Sequence, residues 1–504
     1  VYDKTGLVDF AKGLSDLGVE LVASGGTSRA LREAGIAHRE VAEVTGAPEM
    51  LGGRVKTLHP KIHGGILADR SVQSHMDDLA KLGIETIDLV VCNLYPFSKE
   101  PSIEMIDVGG PTMVRAAAKN HEHVGVVVDP NEYESVLAEL KENGSLRDAT
   151  RRRLARAAFA HTAAYDAAIV SWFDKGGSWN GEVATLPPTV HLALERAGEL
   201  RYGENPHQLG ARYRNINGEP SFWDAMVQYG GRELSYLNIF DAEAAWRLVH
   251  ELASLKGVGA AAVIVKHANP CGAAVGGDLA RAYEQAFASD PISAFGGVVA
   301  LSGPVDLGLA EKIVGNALAD VLISTEISPE AIELFGKKRK NMRPLVAVAP
   351  SAETLAMRQI SGGFLIQVPD EFPAPRNAWR VVTKRAPDEG QWDDLELAWR
   401  VCGRTSSNAI VLAKDGQIVG VGCGQQNRVD AARLAGIKAD GRAQGGVGAS
   451  DAFFPFRDGL DAMIDAGVTT VIQPGGSLRD AEIIAAADER GIAMVLTGER
   501  HFRH

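Results

Sequence analysis

Residues 19–34 read VELVASGGTSRALREA. The first five form a short apolar run of strand type, Ser24-Gly25-Gly26-Thr27 is turn chemistry, and residues 28–34 space their apolar side chains as a helix does. The same succession returns further on: residues 88–93 read as a buried strand, 112–119 as a helix and 123–128 as another strand, while a helical pattern ahead of the quoted stretch runs to Leu14. Strands alternating with helices imply a parallel α/β sheet covered on both faces. In such a sheet the ligand site is expected beyond the carboxyl ends of the strands.

The whole chain has 504 residues, enough for about three domains. With 64 acidic and 52 Lys and Arg side chains the formal charge is −12, which argues against a sequence-independent nucleic-acid binder, since that needs a net basic face. The 55 glycines follow no Gly-X-Y period and suit tight turns and close backbone approaches to ligands. Cys92, Cys271, Cys402 and Cys423 stand far apart without CxxC spacing, which excludes a disulfide scaffold and speaks against a zinc ribbon. No run approaches the ~20 apolar residues of a membrane span, and no signal peptide is legible, so a cytoplasmic protein is expected. The chain opens on Val1, and a few residues are expected ahead of it.

A long helix over residues 151–173 meets Gly176-Gly177-Ser178, with Pro187-Pro188 soon after, and this is the best linker in the chain. A second region starts near residue 190, holds a buried strand at 261–265 and alternates strand and helix to about 324. Residues 349–376 read as Pro-rich and irregular, and alternation resumes from Trp392. The expected domains are 1–183 and 190–504, the latter made of units at roughly 190–335 and 378–504 that are compatible with distant copies of one plan.

Strand, Ser-Gly-Gly-Thr and helix make a phosphate cradle, because glycines let backbone N–H groups approach an anion and the helix N-terminus carries partial positive charge. The plainer reading is a tight turn with Thr27 or Ser28 as the N-cap. Residues 52–60, GGRVKTLHP, add Arg54 and Lys56 in a Gly-rich loop; residues 106–112, IDVGGPT, place Asp107 and two glycines before a helix on which Arg115 and Lys119 lie one turn apart. Tyr95 follows a strand, and a lone tyrosine there is more often core or rim packing than a site residue. His59 and His63 have the i, i+4 spacing of a metal pair, but Pro60 breaks the helix and no Glu follows His59, so a zincin site is rejected. Lys266-His267 ends the strand at 261–265. A lysine among apolar residues pays desolvation when charged, and imidazole exchanges protons near neutral pH, so this pair is a candidate for acid–base chemistry; otherwise it is where a strand surfaces.

Taken together, VYDKTGL (1–7), ASGGTSRAL (23–31), MLGGRVKTLHPKIHGGIL (50–67), CNLYPF (92–97) and IDVGGPTMVRAAAKNH (106–121) resemble the cyclohydrolase half of the bifunctional AICAR transformylase/IMP cyclohydrolase family. The resemblance continues through LRYGENPHQ (200–208), VIVKHANPCG (263–272), SSNAIVLAKDGQIVGVGCGQQNRVDAARLAG (406–436), SDAFFPFRDG (450–459) and TGERHFRH (497–504), and so covers essentially the whole chain. It implies an N-terminal methylglyoxal-synthase-like α/β domain that closes formyl-AICAR to IMP, followed by a transformylase region of two cytidine-deaminase-like α/β units that formylates AICAR from 10-formyltetrahydrofolate.

By that resemblance Lys4, Ser24, Gly25, Gly26, Thr27, Arg54 and Thr57 bind the nucleotide, with Cys92, Asn93, Val108 and Gly109 lining its pocket. Lys56, Tyr95, Asp107 and Lys119 become catalytic, Lys119 as the proton carrier. In the second half His267 is implied as proton acceptor and Lys266 as stabiliser of the oxyanion or of the departing folate nitrogen. Arg201, Tyr202 and Arg500 would hold the ribotide. Asn408 would bridge amine and formyl oxygen beside Arg428, Phe453 would stack on a flat heterocycle, and Asp458 and Ser477 would face the folate, with Gly296 and Asp320 matching through shorter stretches. The family also implies a homodimer and no catalytic metal.

Two alternatives stand beside this reading: a non-catalytic purine-ribotide sensor, and a zinc-dependent deaminase-like hydrolase. Against the latter, position 274 is Ala where the P-C-x-x-C signature requires a second cysteine, and no H-x-E stands at His267. A shortened stretch between Lys438 and Asp451 leaves the folate-tail contacts open.

Overall fold

The computed structural model describes residues 1–177, 185–352 and 355–504. It divides into two compact units, Val1–Glu195 with Arg214–Glu219, and Arg196–Tyr213 with Pro220–His504. Ser178 of the expected linker and the expected boundary at 183 lie outside the described residues.

In the first unit β1 (Val22–Ala23) pairs in parallel with β2 (Arg39–Glu40), and β3 (Leu89–Val91) in parallel with β4 (Gly125–Val127). The strands are shorter than the sequence suggests, β1 keeping only two residues of the apolar run at 19–23. Helices Gly109–Lys119 and Asp148–Asp174 cover the β3–β4 pair, burying Val114, Ala117, Leu154 and Ala158 against Val90 and Val126. His59 caps a helix over Pro60–Leu67, its ring accepting from the Lys61 N–H at 3.1 Å. Pro60 therefore begins that helix rather than breaking it, because its missing N–H falls where a helix needs none.

The second unit is built on one sheet of twelve strands: β5 (Val227–Gln228), β6 (Ala260–Lys266), β7 (Asn269–Gly276), β8 (Val298–Leu301), β9 (Val321–Ser324), β10 (Arg343–Val346), β11 (Arg380–Val381), β12 (Ile410–Lys414), β13 (Gln417–Gly422), β14 (Val447–Ser450), β15 (Thr470–Gln473) and β16 (Ala493–Leu496). Their order across the sheet is β11-β16-β15-β14-β12-β13-β7-β6-β8-β9-β10-β5. Adding six to each label of the half β7-β6-β8-β9-β10-β5 gives β13-β12-β14-β15-β16-β11, the other half read from the same junction. The two halves thus share one topology, as expected of copies of one plan, and they fuse edge to edge through the antiparallel pair Gln417↔Ala274 instead of standing as separate sheets.

Helices Tyr236–Ala253 and Glu389–Gly403 correspond in the two copies. Each opens on a capping box, at Ser235 and at Asp388, and each buries a tryptophan eleven residues after its cap (235 to 246, 388 to 399). Because side chains alternate along a strand, Ala261, Val263 and Val265 face these helices in one continuous core, while Ala262 and Ile264 face helix Leu279–Ser289 on the opposite side. Helix Arg428–Ala439 packs so tightly on β13 that a β-carbon at Gly422 would lie 1.9 Å from the Ala431 carbonyl oxygen; only glycine fits there. Between the copies, the stretch read as irregular holds a hairpin, Ala356–Ile360 with Gly363–Gln367. Its prolines lie beyond these two strands, where they do not interrupt the ladder.

Candidate active site

In the first unit Ser24-Gly25-Gly26-Thr27 is not a loop before a helix but its opening turn. The helix is Gly25–Glu33 with Ser24 at the N-cap, one turn earlier than the Thr27 or Ser28 cap considered from sequence. Gly25 has φ +53°, which a β-carbon disfavours, and Ser24 makes no side-chain cap, so this N-terminus faces outward with N–H groups open to an anion. Two ammonium groups converge on it: a β-carbon built on Gly25 would lie 3.1 Å from Lys56 Nζ, and one on Gly26 3.5 Å from Lys4 Nζ. Lys56 is also paired with Glu49 at 2.7 Å. Arg54 is ion-paired with Glu104, and Thr27 Oγ1 meets the backbone of Val1.

Thr57 Oγ1 would lie 3.1 Å from a β-carbon on Gly109, which draws the GGRVKT loop to the start of the Gly109–Lys119 helix. Asp107 sits there, its Oδ1 accepting the Gly110 N–H at 2.9 Å and its own N–H donating to Tyr165 Oη at 2.7 Å. Val108 is the exposed N-cap of the helix. Asn93 pins the N-terminal segment, its amide oxygen accepting from the N–H groups of Tyr2 (2.6 Å) and Asp3 (2.9 Å), and Tyr95 packs edge-on to Tyr2 with 5.6 Å between ring centres. Cys92 lies in the core, where burial pushes its thiol up to about 11 and so keeps it from serving as a thiolate.

Lys119 lies apart from Gly109 along the helix axis. It ends the helix that Gly109 begins, and at 1.5 Å per residue the ten steps between them span about 15 Å. Both Lys119 and Arg115 are exposed, and Arg115 lies over the Phe159 ring at 5.6 Å.

Asp107 provides a pH test. Burial raises its carboxyl pKa, opposed by the Gly110 N–H. A carboxylate whose folded pKa is raised stabilises the fold fully below its unfolded value, near 3.9, and that contribution is lost as pH rises through the folded value. Asp107→Asn is therefore expected to raise the melting temperature at pH 7, with the gain disappearing towards pH 3. An equal melting temperature at pH 7 would contradict the assignment.

Apart from Arg201 and Tyr202, the sequence-selected residues of the second unit fall along one edge of the twelve-stranded sheet, the edge formed by strand ends. Lys266 ends β6 and His267 follows it, Gly296 and Asp320 stand just before β8 and β9, and Asn408 just before β12. Arg428 lies past β13, Phe453 and Asp458 past β14, Ser477 past β15 and Arg500 past β16. They share an edge because β8 to β10 run against β6 while β14 to β16 run against β12, and β7 meets β13 antiparallel. The site is thus at carboxyl ends of strands in one copy and largely at amino ends in the other, which the simple parallel-sheet rule does not anticipate.

Lys266 Nζ donates to the Phe295 carbonyl at 2.7 Å, next to Gly296 with φ +72°. Asp320, Arg201 and Tyr202 gather around Arg343, a residue not selected from sequence. Burial lowers the Arg343 pKa, the charge of Asp320 opposes this, and Arg201 and Arg232 add to it. Arg201 lies over the Tyr202 ring at 5.6 Å. Arg428, which the resemblance places in the substrate pocket beside Asn408, is 6% exposed; its guanidinium is ion-paired with fully buried Asp451 and donates to Asn408 Oδ1 at 2.6 Å. Asn408 in turn donates to the Gln425 carbonyl at 3.0 Å. Arg428 therefore fixes the Asn408 amide from one side. Phe453 is 38% exposed, open enough to stack, whereas neighbouring Phe454 is core. Asp458, Ser477 and Arg500 are wholly or partly accessible, with Arg500 over the Phe502 ring at 4.4 Å.

Among the described residues no three His, Cys, Asp or Glu side chains are grouped as a metal site would need, and no helix is long and apolar enough to cross a membrane. A family model described as AICARFT/IMPCHase bienzyme matches residues 117–438, and one described as MGS-like domain matches residues 6–122. A solved structure described as "Crystal structure of ForH" is 41% identical, with 34% of this chain and 95% of that chain covered and a TM-score of 0.32.

Proposed function

Because the chain belongs to the AICARFT/IMPCHase bienzyme family, and so formylates AICAR from 10-formyltetrahydrofolate and cyclises the product to IMP, we propose that the residues gathered at the sheet edge of the second unit carry the formyl transfer and the Gly25 cradle of the first unit the ring closure. The observation that supports this most is the convergence of Lys266, His267, Asn408 and Phe453, distant in sequence, on a single sheet edge.

In the formyl transfer, the exocyclic amine of AICAR attacks the formyl carbon. A C–N bond forms, the amine proton passes to His267, and collapse of the tetrahedral adduct breaks the bond to N10 of the folate, which takes up a proton. His267 is the general base. Lys266, held by one hydrogen bond to Phe295, has two more N–H groups for the developing oxyanion or the leaving nitrogen. Asn408, fixed by Arg428, presents its amide beside the reacting groups. Phe453 supplies a face for the heterocycle, and Arg201 and Arg500 bind the ribotide.

In the ring closure, a weakly nucleophilic carboxamide nitrogen attacks a formamide carbonyl and water departs. Fixing both groups in one molecule supplies most of the advantage. The phosphate sits on the Gly25–Glu33 helix N-terminus with Lys4 and Lys56, while Asp107 and Tyr95 face the reacting end. The proton-carrying role of Lys119 is the assignment most open to test. Lys56→Ala is expected to slow IMP formation from formyl-AICAR by 10²-fold or more, in the range of other lost electrostatic donors, about 10² to 10³. A comparable loss in Lys119→Ala would establish that Lys119 acts, through another copy of the chain or another conformation; an unchanged rate would remove it from the mechanism. A homodimer is part of the same reading, and sedimentation over a range of concentrations tests it.

A further inference from the structure

We propose that Asp241 is a positioning residue for formyl transfer, its carboxylate holding the two-residue turn that carries His267 in a left-handed conformation. This rests on the proposed role of His267.

The β6–β7 hairpin turns on His267 and Ala268, with φ +54° and +55°. Two successive positive φ values define the primed turn that matches the twist of a hairpin, and it favours Asn-Gly or Asp-Gly; a β-carbon at both positions is disfavoured. The other copy shows the favoured form. Its β12–β13 hairpin turns on Asp415-Gly416, with φ +54° and +74°. Each turn is held in the same way. Asp241 accepts the N–H groups of His267 (3.2 Å) and Ala268 (2.8 Å), and Asp394 accepts those of Asp415 (2.9 Å) and Gly416 (2.7 Å). Asp241 and Asp394 stand six residues after the N-caps of corresponding helices (235 to 241, 388 to 394).

The carboxylate clamp therefore belongs to the duplicated plan, while the copy at the substrate edge carries His-Ala where local preference would put Asp-Gly. That turn is held on all sides. The His267 carbonyl accepts from Asn269 Nδ2 at 3.1 Å and the Ala268 carbonyl from Arg503 Nη1 at 2.8 Å, so side chains bind each of its four backbone polar groups. Among the described residues the imidazole itself has no hydrogen-bond partner and is exposed. Its placement is set through the backbone, and Asp241 supplies half of that hold.

The test is Asp241→Asn in the full chain, which leaves one acceptor oxygen for two N–H groups. The formyl-transfer kcat is expected to fall on the order of 10²-fold, as for a catalytic group displaced by about 1 Å. KM for AICAR and the folate should change little, and cyclisation of formyl-AICAR should be retained. Adding Ala268→Gly, which makes the left-handed turn favourable without the clamp, should restore most of the lost kcat, a rescue that a merely structural role would not give. Asp394→Asn, the same change in the other copy, should leave formyl transfer intact. Unchanged kcat in Asp241→Asn, no rescue by Ala268→Gly, or an equal loss in Asp394→Asn would each overturn the proposal. If Asp241→Asn does not fold, Asp241→Glu, which shifts both oxygens by one methylene, takes its place with the same expected loss. His267→Ala, run alongside, separates the two layers: if it keeps formyl transfer, the role of His267 fails; if it loses transfer while Asp241→Asn does not, only the clamp fails.

Discussion

His267→Ala is expected to lower formyl transfer to AICAR by about 10² to 10⁴-fold, the usual worth of a positioned general base, while formyl-AICAR still closes to IMP at the original rate. The two halves of this result test different things. Loss of transfer tests the base, because the AICAR amine is an arylamine-like nucleophile and its attack leaves a proton on nitrogen that something must accept. Retention of cyclisation tests the division of labour, since the Gly25 cradle and Asp107 belong to the other compact unit. The substitution is gentle on the fold. His267 is exposed, its ring makes no hydrogen bond among the described residues, and Ala keeps a β-carbon at a position already left-handed. An unchanged melting temperature should accompany the loss. Transfer at the normal rate would remove His267 from the chemistry, and failure of both reactions would trace the effect to folding.

That Lys266 and His267 end a strand was legible because β6 is a continuous apolar run bounded by Lys, a local pattern that needs no knowledge of the partner strands. The strand, Ser-Gly-Gly-Thr and helix succession was legible for the same reason, although the helix starts at Gly25, three residues ahead of the start that pattern suggests, since Gly-Gly-Thr favours turn over helix and only tertiary packing reverses that preference. What local pattern does not encode is which strands meet. In the strand ladder the two copies meet at one residue pair, Gln417↔Ala274, with nothing in either neighbourhood to announce it. Asp241 and Asp451 were missed on similar grounds: each is one acidic residue in an ordinary context, and its importance comes from a backbone or guanidinium brought to it by the fold. Arg428 shows the complementary case: the resemblance carries it over as a pocket residue beside Asn408, and the fold buries it against an internal partner that no local pattern announces.

That partner leads to the second large effect. Asp451→Ala is expected to destabilise the second unit by about 3–5 kcal/mol, because it strands the Arg428 guanidinium at a nearly inaccessible position with only the Ala409 carbonyl at 3.3 Å and the Asn408 amide to receive it. The calorimetric transition of that unit reads the change. Removing both charges together, Arg428→Met with Asp451→Leu, should recover most of the loss, since a buried ion pair costs nearly as much to desolvate as it returns. Function should not recover with it. Asn408 Oδ1 would lose the donor that fixes its amide, and a freely turning amide no longer offers one set of donor and acceptor to the amine and formyl oxygen. The double variant is thus expected to be stable yet slow in formyl transfer, with cyclisation unaffected. Stability within about 1 kcal/mol of wild type in Asp451→Ala would show that the buried cation finds another partner or water. Full transfer activity in the double variant would show that the pair serves packing alone, leaving the orientation of Asn408 to its bond with Gln425.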